Sequence, residues 1–370
     1  MLKKIPALFL VLCSFSAIAK PVNPLCEEAQ GASFGSGDGS KLNPYLICNH
    51  AQFGLISQDN TLLSKSFKLG SDLSFMDKVF PVIGSPETPF QGNFDGDGYT
   101  LSEITLSADI RVYNAPFRNI QNAQIENLTI DDIHSSGTAI AHMAGLVGKA
   151  ENSILHHINV HHIRLYSRNE SGGVVGELIN SSLSYTSADG LLEQDFGTDA
   201  SGGLIGWAVY SDVFASASHV NLSMLYPGPG GGVSGVSSLI GQADYSRIRN
   251  IYADGNIDYS SALLLEARGI GGLIGIMHNS LLANGYYAGN ISVPSGTEIG
   301  GAVGADNSIT NYSNAIYWDK QVSGIDQSVI GVGKSTETLK RKTFWVNRGF
   351  DSNIWSIKIN QYPSLFGSDN

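Results

Sequence analysis

Charge is scarce in this chain. Asp, Glu, Lys and Arg make up 15% of its 370 residues, and only 22 are Lys or Arg. Long amphipathic helices need a charged face, so a mainly helical fold is disfavoured, while short strands joined by Gly- and Asn-rich turns need no such face. Positive charge is the scarcer sign, with a formal net charge of −11. That balance argues against nucleic acid and against anionic membrane surfaces, which attract Lys/Arg patches. Cysteine is scarcer still, at three residues, with no zinc spacing among Cys13, Cys26 and Cys48. Beyond residue 19 no apolar run is long enough for a transmembrane helix.

The one long apolar run lies at the start. Lys3 and Lys4 precede Ile5 to Ile18, and Ala17-Ile18-Ala19 supplies a small-x-small site. This pattern predicts a signal peptide over 1–19, cut before Lys20. About 14 apolar residues fall short of a bilayer span. Leu12 before Cys13 is too bulky for a lipoprotein site. Removing 1–19 takes two Lys and no acid, moving the formal charge from −11 to −13. In an oxidising compartment the remaining pair, Cys26 and Cys48, is expected to form one disulfide.

What the chain has instead is glycine, 43 residues, much of it in a repeat. "GGLIG" stands at 202–206 and again at 271–275. "AGLVG" (144–148), "GGVVG" (172–176), "SSLIG" (237–241) and "GGAVG" (300–304) are variants of it. Units of about 30 residues are too short for a four-stranded propeller blade and lack the fixed leucines of a leucine-rich repeat. A Ser/Asn-led alternating segment follows each copy, such as "NSILHHINV" and "NSLLANGYYAGNI". Alternation means strands. The expected fold is all-β, a right-handed parallel β-helix of roughly 8 coils with N- and C-terminal caps, each coil burying its inward residues by stacking on the next. Equivalent residues then form files about 4.8 Å apart per coil. Glycine in such a file allows a tight turn or a close backbone approach. Asn127 and Asn250 hold similar places, with His157 in that place one copy on, and are expected to stack along a corner. A β-sandwich with accidental repetition is the bland alternative.

The expected layout is an N-terminal cap with the disulfide over 20–75, the β-helix over 76–318 and an aromatic C-terminal cap over 319–370. "NHAQFGLISQ" (49–58) reads as a short helix with Asn49 as N-cap, and "STETLKR" (335–341) as another. Phe344, Trp345, Phe350, Trp355, Tyr362 and Phe366 suit a plug over the last coil, with a sugar-stacking platform as the rival reading. The insertion "HVNLSMLYPGPGGGVSG" (219–235) breaks the rhythm and reads as an exposed loop able to carry specific contacts.

These residues resemble the bacterial GLUG-motif proteins, named for a glycine–leucine–glycine repeat of this kind. "GSGDGSKLNPYLICNHAQFGLI" (35–56) is similar to their entry segment. "FKLGSDLSF" and "VFPVIGSPETPFQGNFDGDGYTLSEITL" resemble the strands that follow, and "IYWDKQVSG", "GKSTETLK" and "WSIKINQYPSLFG" the closing segment. The resemblance covers nearly all of 34–366. It implies a β-solenoid outside the cytoplasm, often in adhesin-like proteins, and no single activity. Some relatives carry proteases, but His-Glu-x-x-His is absent here.

Chemistry is sparse. His134, His142, His156, His157, His161 and His162 lie close in sequence, yet His161 and His162 align with Asp131 and Asp132 one coil earlier, an outward turn where solvated side chains are the simpler reading. "DGDG" (95–98) lacks the further acids of a calcium loop and reads as a turn. Asn127-Leu128-Thr129 matches a glycosylation acceptor, which a bacterial export signal discounts. β-Helix lyases and hydrolases need carboxylates gathered on one face. The candidates are Asp131, Asp132, Glu170, Glu177, Asp189, Glu193, Asp195 and Asp199. No catalytic, cofactor-binding or metal residue is assigned, and no cofactor is expected. The expectation is a secreted or cell-surface, otherwise periplasmic, non-catalytic binding protein with a glycan or surface-protein ligand. A carbohydrate-active enzyme is the alternative.

Overall fold

A computed structural model describes residues 20–29, 31, 33–107, 113–136, 142–195, 198–224, 232–261, 266–294, 296–309 and 312–366. The 1–19 segment with Cys13, and the tip of the 219–235 insertion, lie outside the described residues. Parallel strands stack into a β-solenoid of about 8 coils. A first sheet of 16 strands runs the length of the stack, beside a second sheet of seven and a third of five. No described helix is long and apolar enough to cross a membrane.

The six glycine quintets form one file at the corner between the third and second sheets. Val147 pairs with Val175, Val175 with Ile205, Ile205 with Ile240, Ile240 with Ile274, and Ile274 with Val303. The aliphatic residues before them fill the bore, with Leu146, Val174, Leu204, Leu239, Leu273 and Ala302 all fully buried. Close approach explains the second glycine. A Cβ on Gly145 would sit 2.1 Å from the Gly173 carbonyl oxygen, and one on Gly173 would sit 2.1 Å from that of Gly203. Neither residue has a positive φ, so a left-handed turn is not the reason.

The next corner, from the second sheet to the first, explains the Ser/Asn signal. The backbone N–H of Ser153 donates to Ser181 Oγ (2.9 Å), that of Ser181 to Ser211 Oγ (3.1 Å), that of Ser211 to Ser246 Oγ (3.0 Å) and that of Ser246 to Ser280 Oγ (2.9 Å). Each buried hydroxyl also donates to a carbonyl two residues back, as Ser211 does to Val209 (2.8 Å). Both polar groups of every corner are thereby satisfied without water.

The Asn127 file is real, but it is not an amide stack. Asn127, His157, Tyr185, Ala215, Asn250, Asn284 and Ala315 succeed one another in register, and all take positive φ. What the file shares is a left-handed bend rather than a side chain. Asn250 and Asn284 instead hold the C-terminal segment. Trp355 Nε1 donates to Asn250 Oδ1 (3.1 Å), and Asn284 Nδ2 donates to the Gly349 carbonyl (3.0 Å).

At the N-terminal end Cys26 and Cys48 form the disulfide, with Cα atoms 5.2 Å apart. The helix His50–Gln58 starts at Asn49, whose side chain accepts from the Gln52 N–H. Phe53 sends its ring into the bore, 5.5 Å from Phe75 and 6.0 Å from Phe94. Ladder pairing already begins at Tyr45–Ile47 against Ser66–Leu69, so stacked strands extend into the 20–75 segment.

The expected C-terminal plug needs correction. Phe344, Trp345, Phe350 and Trp355 do not enter the bore end. They lie in a second core outside the bore, with Leu339, against Ala217, Tyr252, Tyr286 and Tyr317. Those tyrosines form an outward file on the first sheet. Such a file is an apolar flank that the tail covers. Tyr286 donates to the Pro363 carbonyl (2.6 Å) and Tyr362 to Asp319 (2.5 Å). Phe366 stays exposed. The bore end is covered by 320–334 instead, where Ile325 and Ile330 join the main core and Trp318 Nε1 donates to the Ile325 carbonyl (2.9 Å). Phe344, Trp345, Phe350 and Trp355 are buried, so their faces are not open to stack on a sugar.

Candidate functional site

The serine corner also places side chains on the outside. The residue before each corner position, Ala123 in the first coil and serine in those that follow, takes a left-handed backbone, and the file reads Asn122, Asn152, Asn180, Tyr210, Tyr245, Asn279. Asparagine tolerates this region, whereas a bulky residue there is an outlier costing about 1–2 kcal/mol. Tyr210 and Tyr245 accept that strain although neither is needed in the core, being 62% and 52% exposed. Their rings stack with centroids 5.0 Å apart and planes 14° apart.

Polar groups surround the pair. Asn180 Nδ2 donates to Asn152 Oδ1 (2.5 Å) one coil away. Arg247 Nη2 donates to Asp212 Oδ2 (2.9 Å) and Arg249 Nη2 to Asp212 Oδ1 (3.1 Å). A groove of about 490 Å³ is lined by Asn152, Asn180, Tyr210, Asp212, Tyr245 and Arg247 among others. Aromatic faces beside amides, a carboxylate and a guanidinium can stack on and hydrogen-bond a polyhydroxylated ligand. The sequence reading missed this strip. Its signal was present, because Tyr stands before Ser at 210 and 245 where the other copies carry Asn.

The histidines form another pattern. Asp131 pairs in register with His161, and Asp189 with His219, whose next-coil counterpart is Asp254. Acid and imidazole thus alternate up one file. His161 Nδ1 lies 2.5 Å from Asp189 Oδ2, and His219 Nδ1 lies 2.6 Å from Asp254 Oδ1. His162, at the next bend, has Nδ1 2.6 Å from Asp131 Oδ1. The Asp131 hydrogen bond raises the His162 pKa above the ordinary imidazole value. Burial opposes ionisation of Asp189, but hydrogen bonds from His161 and the His162 amide hold it below the usual carboxylate range. Stacking like charges would cost energy in such a file, and alternation avoids it. The solvated reading fits His162, whose side chain is 75% exposed, better than His161 at 26%. Among the described residues no group of three or more His, Cys, Asp or Glu side chains is placed to hold a metal.

The other candidate acids are dispersed. Asp132 lies near His134 (3.9 Å), and Asp195 pairs with Arg168 (3.5 Å). Glu193 sits opposite Tyr166 and Ser223 on the first sheet, while Asp199 is on the third, opposite Ser234. Glu170 pairs with His142 (2.6 Å). Glu177 accepts from the Tyr113 hydroxyl, beside Lys149 (3.8 Å). Burial, helped by Glu177, pushes the Tyr113 hydroxyl well above its usual pKa. Asp97 of "DGDG" takes a left-handed bend and pairs with Lys20 (2.9 Å) and Lys68 (3.3 Å).

No family model matches the chain. Halomucin of Haloquadratum walsbyi is 29% identical over 135 residues, covering 30% of this chain and 1% of that protein. A protein of Evansella cellulosilytica, provisionally named a Gly-rich membrane protein, is 29% identical over 122 residues, covering 32% of this chain and 14% of that protein. The chain therefore spans a small part of these curated relatives. Among solved structures, a Bacteroides ovatus protein provisionally assigned as an immunoglobulin A1 protease aligns with TM-score 0.54 and 18% identity, over 92% of this chain and 97% of that one. A structure named IgA1 protease aligns with TM-score 0.50 and 17% identity, over 82% of this chain and 24% of that one. These likenesses are of fold.

Proposed function

We propose that this chain is an exported GLUG-type β-solenoid that acts at a cell surface as a non-catalytic, adhesin-like glycan binder, through the Tyr210–Tyr245 corner. One observation carries the reading. Two exposed, stacked tyrosines occupy strained positions where the other copies of the corner have asparagine. Strain retained without a packing return points to a ligand. The disulfide supports an oxidising compartment. The solved neighbours are named for immunoglobulin A1 proteolysis, but protease activity forms no part of this proposal, since the likeness is of fold alone.

A glycan array probed with the purified chain tests this reading. Binding to defined glycans that Tyr210→Ala and Tyr245→Ala each weaken about 10-fold supports it, a loss typical of removing an aromatic anchor. Binding that ignores both substitutions sinks it. A carbohydrate-active enzyme remains the second reading, favoured by the joined polar groups of Tyr113, Glu177 and Lys149. Reducing-sugar release abolished by Glu177→Gln would establish that reading instead.

A further inference from the structure

The net charge of the chain conceals a separation. Residues 320–366 hold 7 of its 22 Lys and Arg but only 3 of its 33 Asp and Glu. The segment that braces the flank is therefore basic on an otherwise acidic body. Three of its seven cations line one feature, a shallow groove of about 440 Å³ bounded by Lys340, Arg341, Lys342, Val346, Asn347 and Ile359 among others. Val346 is 55% exposed and Ile359 is 74% exposed. Lysines and arginines ringing two solvent-facing aliphatic side chains are an uncommon surface for an acidic exported protein.

Each cation reaches the groove differently. Lys340 lies over the Tyr362 ring at 4.8 Å, and Arg341 pairs with Glu337. Lys342 is exposed at the start of the helix Lys342–Val346, which also carries Val346. The helix buries Phe344 and Trp345 against the second core and leaves Val346 facing outward. Ile359 and its neighbour Lys358 are exposed across the groove.

We infer that this groove docks the protein on an anionic phospholipid surface, Lys340, Arg341 and Lys342 meeting headgroup phosphates while Val346 and Ile359 enter the interface. A soluble anion would use the cations and leave the aliphatics idle. A neutral apolar partner would leave the cations unanswered. An anionic bilayer uses both, each basic residue near such a surface adding about fivefold in affinity. This groove shares no lining residue with the tyrosine corner.

Co-sedimentation of the full chain with phosphatidylcholine vesicles, with and without phosphatidylglycerol, tests the inference. The expected result is binding only when phosphatidylglycerol is present, falling as salt rises. Lys342→Ala and the pair Val346→Ser/Ile359→Ser should each weaken it about fivefold or more, with thermal unfolding unchanged because these side chains are exposed. Equal binding to neutral vesicles, no binding at low salt, or weakening by Lys342→Ala but not by the aliphatic pair would each overturn it. In the last case the site would be one for a soluble anion.

Discussion

At the amino-terminal end, a short helix beside the disulfide closes the bore along its axis, and Phe53 packs edge-to-face on the rings of the next coils. The C-terminal segment does something else. It leaves the bore end to residues 320–334 and turns back along the outside, covering Tyr252, Tyr286 and Tyr317. Both ends of a parallel stack must hide open strand edges. The C-terminal one also braces a flank, tying several coils together through Asn250, Asn284 and Tyr286, while at the N-terminal end Lys20 pairs with Asp97 and Tyr99 donates to the Pro21 carbonyl. The axial cap holds the first coils through the bore, whereas the strap holds later coils from the side.

That comparison can be broken in order of effect. Trp345→Ala removes a fully buried ring from the second core and should cost about 3–5 kcal/mol. Limited proteolysis should then cut within 335–366 while the strand signal in circular dichroism persists. Simultaneous loss of the strand signal would mean that the strap and the bore are one cooperative unit. Replacing Cys26 and Cys48 by Ser should cost about 3 kcal/mol, by freeing the unfolded chain. Calorimetry of both variants shows whether the axial cap or the flank limits stability.

Ser211→Ala probes the middle of the stack, away from both ends. It leaves the buried Ser181 N–H without its acceptor and should cost about 1–3 kcal/mol, read from the denaturation midpoint. The smallest effect concerns His162. Its folded pKa is raised by Asp131, so its contribution is fully present below the ordinary imidazole value and is lost as pH rises through the folded pKa. His162→Gln should destabilise by a few tenths of a kcal/mol at pH 5 and by nothing measurable at pH 9. Asp189 behaves oppositely. Its contribution holds above the ordinary carboxylate value and fades as pH falls through its lowered pKa.

The stack was legible because each coil repeats one steric demand. A Cβ at Gly145, Gly173 or Gly203 would meet a carbonyl oxygen of the next coil, so glycine recurs there, although Ser238 fills the same place in the fourth copy. The serine ladder was visible as a repeated Ser/Asn start for a similar reason. The Asn127 file was only half legible. Its shared property is a backbone angle, and His157, Tyr185 and Ala215 satisfy it without a common side chain. The aromatic tail was recognised as a cap but placed on the wrong surface, because its partners, Tyr252 and Tyr286, lie far back in the sequence among ordinary strand residues. The His161–Asp189 pair is 28 residues apart, one coil upward, and needs the register before it can be read.

The central claim is register stacking, and spin-label distances test it most directly. Labels at Asn122 and Tyr245, four coils apart in the serine-corner file, should lie about 19 Å apart, and labels at Asn122 and Asn279, five coils apart, about 24 Å. A separation that grows by about 4.8 Å for each added coil is the predicted result. Distances that bear no relation to coil number would contradict the stack and everything built on it.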